Sequence, residues 1–492
     1  MDSHMLGAFI NVDQSSPIPG PPAVARKGAP PLPAPTSHEL DNINWGDRLN
    51  GPSAPSPSGA QPPKTPNELE MSRPPSPSTD EATDIVQTLS NPPMNKWRLL
   101  SCCCMCFANG FQDSAPGALI PYMEKDYNIG YAVVSLIFVT NAIGFISAAP
   151  LAHMLQASLG RARMLMVAQA IMLTGYIMLV IPHRPFPVVV FAYFFMGMGE
   201  ALNLAPNNTF CANLANATTT LGAFHGSYGI GGTIGPLIAT ALVSNGSSWS
   251  TIYFLSLGLT IFNLAFAYFS FRTYEIDNPP ATNLTLTTSG RQTANSKSRL
   301  LKQALRNRTT ILGALFIFAY QGAEVSISGW VISFLISYRH SSPSRVGYVT
   351  AGFWGGITIG RFLLSHPAHK IGEKTAVVGL IAGAAAFQLL VWLVPNVIGE
   401  AVAVSIVGLL LGPVYPCATA VFSRLLERRL QMSALAFVSA LGSSGGAVAP
   451  FFTGLLAQQV GTWVLHPICV GLFSGMVGCW WGLPRLGGKR RE

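Results

Sequence analysis

Asn109, Asp113 and Gly117 recur at four-residue steps within an apolar run, so a helix would carry all three on one face. Keeping a charged group at membrane depth costs about 3 kcal/mol, which makes Asp113 a functional candidate by default. In such surroundings a carboxyl group favours its neutral form, and a group of that kind can bind and release one proton per cycle. The structural alternative is a carboxylate paired locally near a helix end. Glu324 shares a helical face with Gln321 and Ser328 and is flanked by Tyr320 and Trp330. An acid with amide, hydroxyl and aromatic neighbours can exchange a proton, hold a polar solute through hydrogen bonds and ring stacking, or clamp two helices. Glu200, Asn203 and Asn207 form a third polar stripe that could line a path. The three acids are the candidates for proton exchange. Asn109, Asn203, Asn207, Gln321, Tyr320, Trp330 and Tyr415 are the candidates for solute contact.

Other residues suit control rather than binding. His225 is of a type that could titrate near neutral pH, but a capping or gating contact fits its position better than a ligand role. Arg361 ends an apolar run, where snorkelling or a gate ion pair accounts for it. Gly231, Gly235, Pro236, Gly446 and Pro450 fall within apolar runs, where glycine permits close helix approach and proline breaks the hydrogen-bond ladder. Cys102, Cys103, Cys104 and Cys106 are too nearly adjacent to converge on one metal; they read as small apolar filler, with S-palmitoylation as the alternative.

These residues need elements to hold them at depth. From Trp97 onward, apolar stretches of about 20 residues recur, each able to cross ~30 Å of hydrocarbon. The expected spans are 98–122, 131–154, 163–182, 186–210, 219–243 and 250–272, then 309–336, 346–366, 375–395, 398–422, 433–457 and 463–483. The pattern predicts an all-α membrane protein of twelve transmembrane helices in two pseudo-symmetric six-helix bundles, 96–272 and 309–484. A basic linker, 273–308, separates the bundles and carries Arg291, Lys297, Arg299, Lys302, Arg306 and Arg308. Residues 485–492 form a short basic tail.

Composition agrees. Of 492 residues, 49% are hydrophobic and only 10% charged, against about a quarter charged in a typical soluble domain. Residues 1–95 hold about half of the 37 prolines and few large apolar side chains, so they are expected to be a disordered cytosolic tail. Ser16, Ser56, Thr65 and Ser76 each precede proline there and suit phosphorylation. With no apolar run in that stretch, the first span would serve as the internal signal anchor. The net charge of +9 does not point to nucleic acid. With both termini inside, inner loops and helix flanks hold about 20 Lys and Arg, and outer loops only Lys125, Arg184, Arg339 and Arg345, which is a topology signal. Outer loops are too short for an ectodomain; Asn245 is the one sequon expected there, close to the membrane. A plasma membrane and an organelle membrane fit equally. No Walker loop, zinc motif, nucleophile elbow or dinucleotide fingerprint is present, so neither an enzyme, a cofactor nor a metal is expected.

The halves repeat. Gly231-Gly232-Thr-Ile-Gly235-Pro236 matches Gly445-Gly446-Ala-Val-Ala449-Pro450 at an offset of about 212, and Trp249 matches Trp463. Gly110, Asp113 and Gly117 find rough partners in Gly322, Glu324 and Gly329. A duplicated six-helix unit is the mark of carriers whose halves rock about a midplane site. Over about residues 96–485 the chain resembles the major facilitator superfamily. Asn109-Gly-Phe-Gln-Asp113, His225-Gly-Ser-Tyr-Gly-Ile-Gly-Gly, Tyr320-Gln-Gly-Ala-Glu324-Val and Gly412-Pro-Val-Tyr-Pro416 resemble the fucose–galactose–glucose:proton symporter branch and its fungal relatives. The resemblance implies that Asp113 carries the coupled proton and that Glu324 and its neighbours meet the solute. Two departures stand out. The bacterial pattern has its glutamate where Leu202 stands, two residues beyond Glu200. The signature between the second and third spans keeps Gly160-Arg161-Ala-Arg163 but has Ala157 where an acid belongs.

The expected function is proton-coupled movement of a small polar solute, a sugar among the options, by a monomer in the bilayer drawing on a proton gradient. The alternatives are proton-driven efflux or organellar transfer of an amphiphilic metabolite, and a non-transporting nutrient sensor that signals through the tail. Removing residues 1–90 separates the first from the last: uptake of labelled solute into cells survives if the chain is a carrier, whereas a sensor loses its output.

Overall fold

A computed structural model describes residues 87–277 and 303–484. Ser16, Ser56, Thr65, Ser76, Arg291, Lys297, Arg299, Lys302 and the tail from 485 lie outside the described residues.

Ten helical segments among the described residues are long and apolar enough to cross a bilayer. The first and eighth expected spans fall outside that set: the first helix is long enough but carries too many polar residues, and the eighth is too short. The first is α1 (Asn95–Ser114) followed by α2 (Pro116–Tyr127). Pro116 has no N–H to offer the carbonyl four residues before it, so the ladder breaks three residues beyond Asp113. The second and third spans run together as α3 (Leu136–Val180), bent where Gly160 takes a φ of +73° that side chains with a Cβ avoid. There follow α4 (Phe186–Ala212), α5 (Ala217–Ser244) and α6 (Ile252–Phe271). The second half opens with α7 (Arg308–Ser337), started by the Asn307 side chain, which accepts from the N–H groups of Thr309 and Thr310. The eighth expected span is α8 (Val349–Leu363) and a short helix, Ser365–Ile371. Then come α9 (Glu373–Leu393), α10 (Val397–Leu411), α11 (Val414–Leu425), α12 (Arg428–Val460) and α13 (Leu465–Trp481). With Pro413 and Pro416 at the junction, the tenth crossing is divided between α10 and α11. Among the described residues the chain is all-helical and has the two-bundle architecture that its repeat implies.

The repeat is visible in how the helices cross. A Cβ on Gly231 of α5 would lie 2.0 Å from the carbonyl oxygen of Phe107 on α1, and one on Gly445 of α12 would lie 2.0 Å from that of Phe318 on α7. The same small-residue crossing therefore anchors both bundles. In the second half the tight contact falls on Gly445; Gly446, one residue on, is looser, its nearest neighbour the Val325 side chain at 3.1 Å. Gly235 backs onto Phe111 and Ser114 of α1.

The end of each bundle nearer residues 277 and 303 is the linker side; the other is the far side. The halves meet nearer the linker side, where a Cβ on Gly226 would lie 2.9 Å from the Phe362 ring, and at the far side. A Cβ on Gly117 would lie 1.9 Å from the Ser328 carbonyl oxygen, one on Gly454 would touch Trp330, Ser135 and Tyr131, and one on Gly347 would press on Thr240.

The linker side of the first bundle holds an ionic cluster. Arg98 is fully buried and donates to the Ser270 carbonyl, Asn95 and Thr273, and it pairs with Asp277. Residues 87–94, placed in the tail by composition, take part: the Ala215 N–H donates to the Gln87 carbonyl at 2.9 Å, and Gln87 reaches the Asp277 carbonyl. Arg98 and Arg161 both lie over the Tyr274 ring, at 5.2 and 4.5 Å from its centre. The acid missing at Ala157 is replaced from the linker. Glu275 accepts from the Arg161 N–H at 2.6 Å, just after the bend at Gly160, where a helix N-terminus favours negative charge.

Gly231→Val and Gly445→Val should each lower stability by about 1–3 kcal/mol, because a side chain would displace a backbone carbonyl. Gly471→Ala, which meets nothing within 4 Å, should be neutral. Thermal unfolding in detergent, followed by tryptophan fluorescence, checks all three.

Candidate functional site

The polar residues singled out in the apolar runs fall into a central group and a set of helix clasps. The central group begins with Asp113, two residues before the break between α1 and α2. Its carboxylate accepts a hydrogen bond from the Tyr228 hydroxyl of α5 at 2.7 Å. The Glu200 carboxyl of α4, only 4% exposed, lies within hydrogen-bonding reach of Asp113. Three helices of the first half thus bring two acids and a phenol together.

The second half answers with Glu324 and Arg361. The α8 guanidinium is 3.8 Å from the α7 carboxylate, a loose pair. The Tyr320 phenol reaches both partners and donates to the Leu411 carbonyl at 3.4 Å, while its ring packs 5.7 Å from that of Tyr415. The Arg361 Nε is buried and has no hydrogen-bond partner among the described residues. Trp354 of α8 joins the halves: its ring meets the Tyr228 ring edge-on at 6.0 Å, and its N–H donates to the Ser328 hydroxyl at 2.8 Å. A line of contacts therefore runs from Glu200 through Asp113, Tyr228 and Trp354 to Ser328, one helical turn from Glu324; it is polar except where the Tyr228 and Trp354 rings meet edge-on.

Other candidates are brought together differently. Asn109 and Asn203 are fully buried and bond each other reciprocally, at 2.9 and 3.3 Å, so their amides clasp α1 to α4. Asn207 donates to the Met105 sulfur at 3.6 Å, its carbonyl oxygen left without a partner. Trp330 donates to the Pro450 carbonyl at 2.8 Å and is 1% exposed, which ties α7 to α12. Gln321 stands half-buried on α7 beside Gly446. His225 is exposed near the linker-side end of α5, its ring against Phe224.

Two central residues, Tyr228 and Trp354, were not singled out from the sequence. Neither carries a charge, so burial cost did not flag them. Tyr228 does sit three residues after His225, within a run already noted. Among the described residues no group of three or more His, Cys, Asp or Glu could hold a metal ion.

Comparison with known proteins places the arrangement. The sequence matches the family model described as Major Facilitator Superfamily over residues 102–395 and 323–491. It is 25% identical over 416 residues to "Bypass of stop codon protein 6" of Saccharomyces cerevisiae, covering 78% of this chain and 82% of that protein. It is 23% identical over 402 residues to a "Glucose/galactose transporter" of Brucella abortus, covering 76% and 92%. The fold superposes on a D-xylose-proton symporter with a TM-score of 0.64 at 12% identity, over 80% of this chain and 99% of that one.

If the two asparagines act as a clasp, the single changes Asn109→Ala and Asn203→Ala should each destabilise the protein. Their double-mutant cycle should show a coupling of roughly 0.6–1.7 kcal/mol, read from unfolding in mixed micelles.

Proposed function

From the premise that this chain belongs to the major facilitator superfamily, we propose that it carries a small polar solute, of the sugar class, across a membrane together with a proton. The observation that supports this reading best is the line of contacts that crosses from one half to the other where the Tyr228 and Trp354 rings meet. A solute seated on it would contact both halves, so its binding would depend on how they are set against one another.

Asp113 and Glu200 form the proton carrier. Two carboxyl groups that close together hold one negative charge more cheaply than two, so the pair retains one proton throughout, and binding and release of a second cycles it between neutral and a single charge that the Tyr228 hydroxyl stabilises. Tyr228 reports that change, since its hydroxyl donates to the ionised oxygen and can turn to the solute when the oxygen is protonated. Trp354, Tyr320 and Tyr415 offer ring faces for the apolar side of a sugar. Glu324 and Arg361 offer an acceptor and a donor for its hydroxyl groups. A sugar also suits the similarity to the Brucella glucose/galactose transporter. The far-side contacts at Gly117, Gly347 and Gly454 are the ones that must part for the site to open the other way, while the glycine crossings within each bundle stay closed. The distribution of Lys and Arg puts the linker side and both termini in the cytosol.

Asp113→Asn should abolish uphill accumulation of labelled glucose, galactose or xylose in liposomes under a pH gradient, and should leave exchange of internal for external sugar intact. Gradient-driven accumulation by Asp113→Asn at the wild-type level would remove Asp113 from the coupling.

A further inference from the structure

Away from the central site, the lipid-facing surface of the second half has a groove that ends on a carboxylate. It lies between α9 and α10, encloses about 330 Å³, and is walled by Phe387, Leu390 and Val394 on one side and Gly399, Ala403 and Ile406 on the other. Leu390 and Val394 are 48% exposed and Val402 is 54% exposed, so the mouth faces the surroundings. Glu400 forms the far-side end of the groove. It is 1% exposed: one carboxylate oxygen accepts from Arg339 Nε at 2.6 Å, and the other, Oε2, is buried with no partner among the described residues. Arg339 is itself held by the Trp392 and Val391 carbonyls at 2.7 and 3.3 Å. Neither member of the pair is free to turn away.

We propose that this groove binds a sterol, whose hydroxyl donates to Glu400 Oε2 while its ring body lies between α9 and α10. The placement matches the ligand. Glu400 stands in the first turn of α10, at the membrane rim, and from it the apolar wall descends six residues to Ile406, ~9 Å toward the bilayer middle. An amphiphile that sits here needs its polar atom at the rim and a compact apolar body directly below. The charge also matches. Arg339 and Glu400 neutralise each other, so an ammonium headgroup would bring an uncompensated charge and a phosphate would face the carboxylate. A neutral hydroxyl supplies what Oε2 lacks, and a buried acceptor left unmade is costly. Diacylglycerol also ends in a hydroxyl, but its flexible chains lose more freedom in a shallow groove than a rigid ring body does.

The test is saturable binding of tritiated cholesterol to the full chain in phosphatidylcholine nanodiscs. Competitors are unlabelled cholesterol, the 3-keto sterol that lacks the donor, dioleoylglycerol and phosphatidylethanolamine. Gly399→Leu fills the groove: a Cβ there meets only the Asn396 side chain, at ordinary contact distances from 3.5 Å. The expected result is one saturable site per chain, displaced by cholesterol alone and weakened about tenfold or more by Gly399→Leu. Val402→Trp, at an exposed lining position, gives the same loss should Gly399→Leu lower the yield of folded protein. No saturable binding, equal displacement by the ketone or by either other lipid, or full binding in both variants would overturn the proposal.

Discussion

A carboxylate inside a bundle of apolar helices is tolerable only when something donates to it, and the Tyr228 hydroxyl on Asp113 is that donor. Much else follows from the need to keep this bond. It requires α5 to lie close against α1, which the glycine crossing at Gly231 allows. It requires Tyr228 to be held from the other side, which the Trp354 ring does from α8. Because Trp354 belongs to the second half, the surroundings of an acid in the first half depend on how the halves sit. That dependence is what the proposed coupling of a proton to a movement draws on.

The second half repeats the packing without repeating the chemistry. Gly445 meets Phe318 as Gly231 meets Phe107, so the two bundles share one way of crossing their helices. Glu324 is matched by a guanidinium rather than a second acid. The halves thus offer unlike charges to whatever sits between them, one side rich in acid and the other balanced.

How much could be read in advance differs from residue to residue. Long apolar runs betray their helices, and of the two that are not both apolar and long enough, the first carries Asn109, Gln112 and Asp113 within its 20 residues and the eighth stops at Leu363. Asp113, Glu200, Glu324 and Arg361 were conspicuous because charge in hydrocarbon demands a reason, and all four converge in the centre. Asn109, Asn203 and Trp330 obeyed the same helical periodicity, yet their partners are other helices. Periodicity names the face a residue occupies but not what waits opposite it. Tyr228 and Trp354 were silent for the converse reason: an uncharged aromatic residue is ordinary in such a helix, and its meaning lies in a partner over a hundred residues away. Glu275 shows the same limit, since the acid absent from position 157 returns from a distant stretch of chain.

Glu275 and Asp277 have a consequence for protein engineering. Every member of the Arg98–Arg161–Tyr274 cluster, Gln87 included, lies between residues 87 and 277, so the first half carries its own clip. Severing the polypeptide after Asp277, or inserting a reporter domain there, leaves that clip untouched. The two pieces could then be produced as separate polypeptides that find each other through the far-side surfaces.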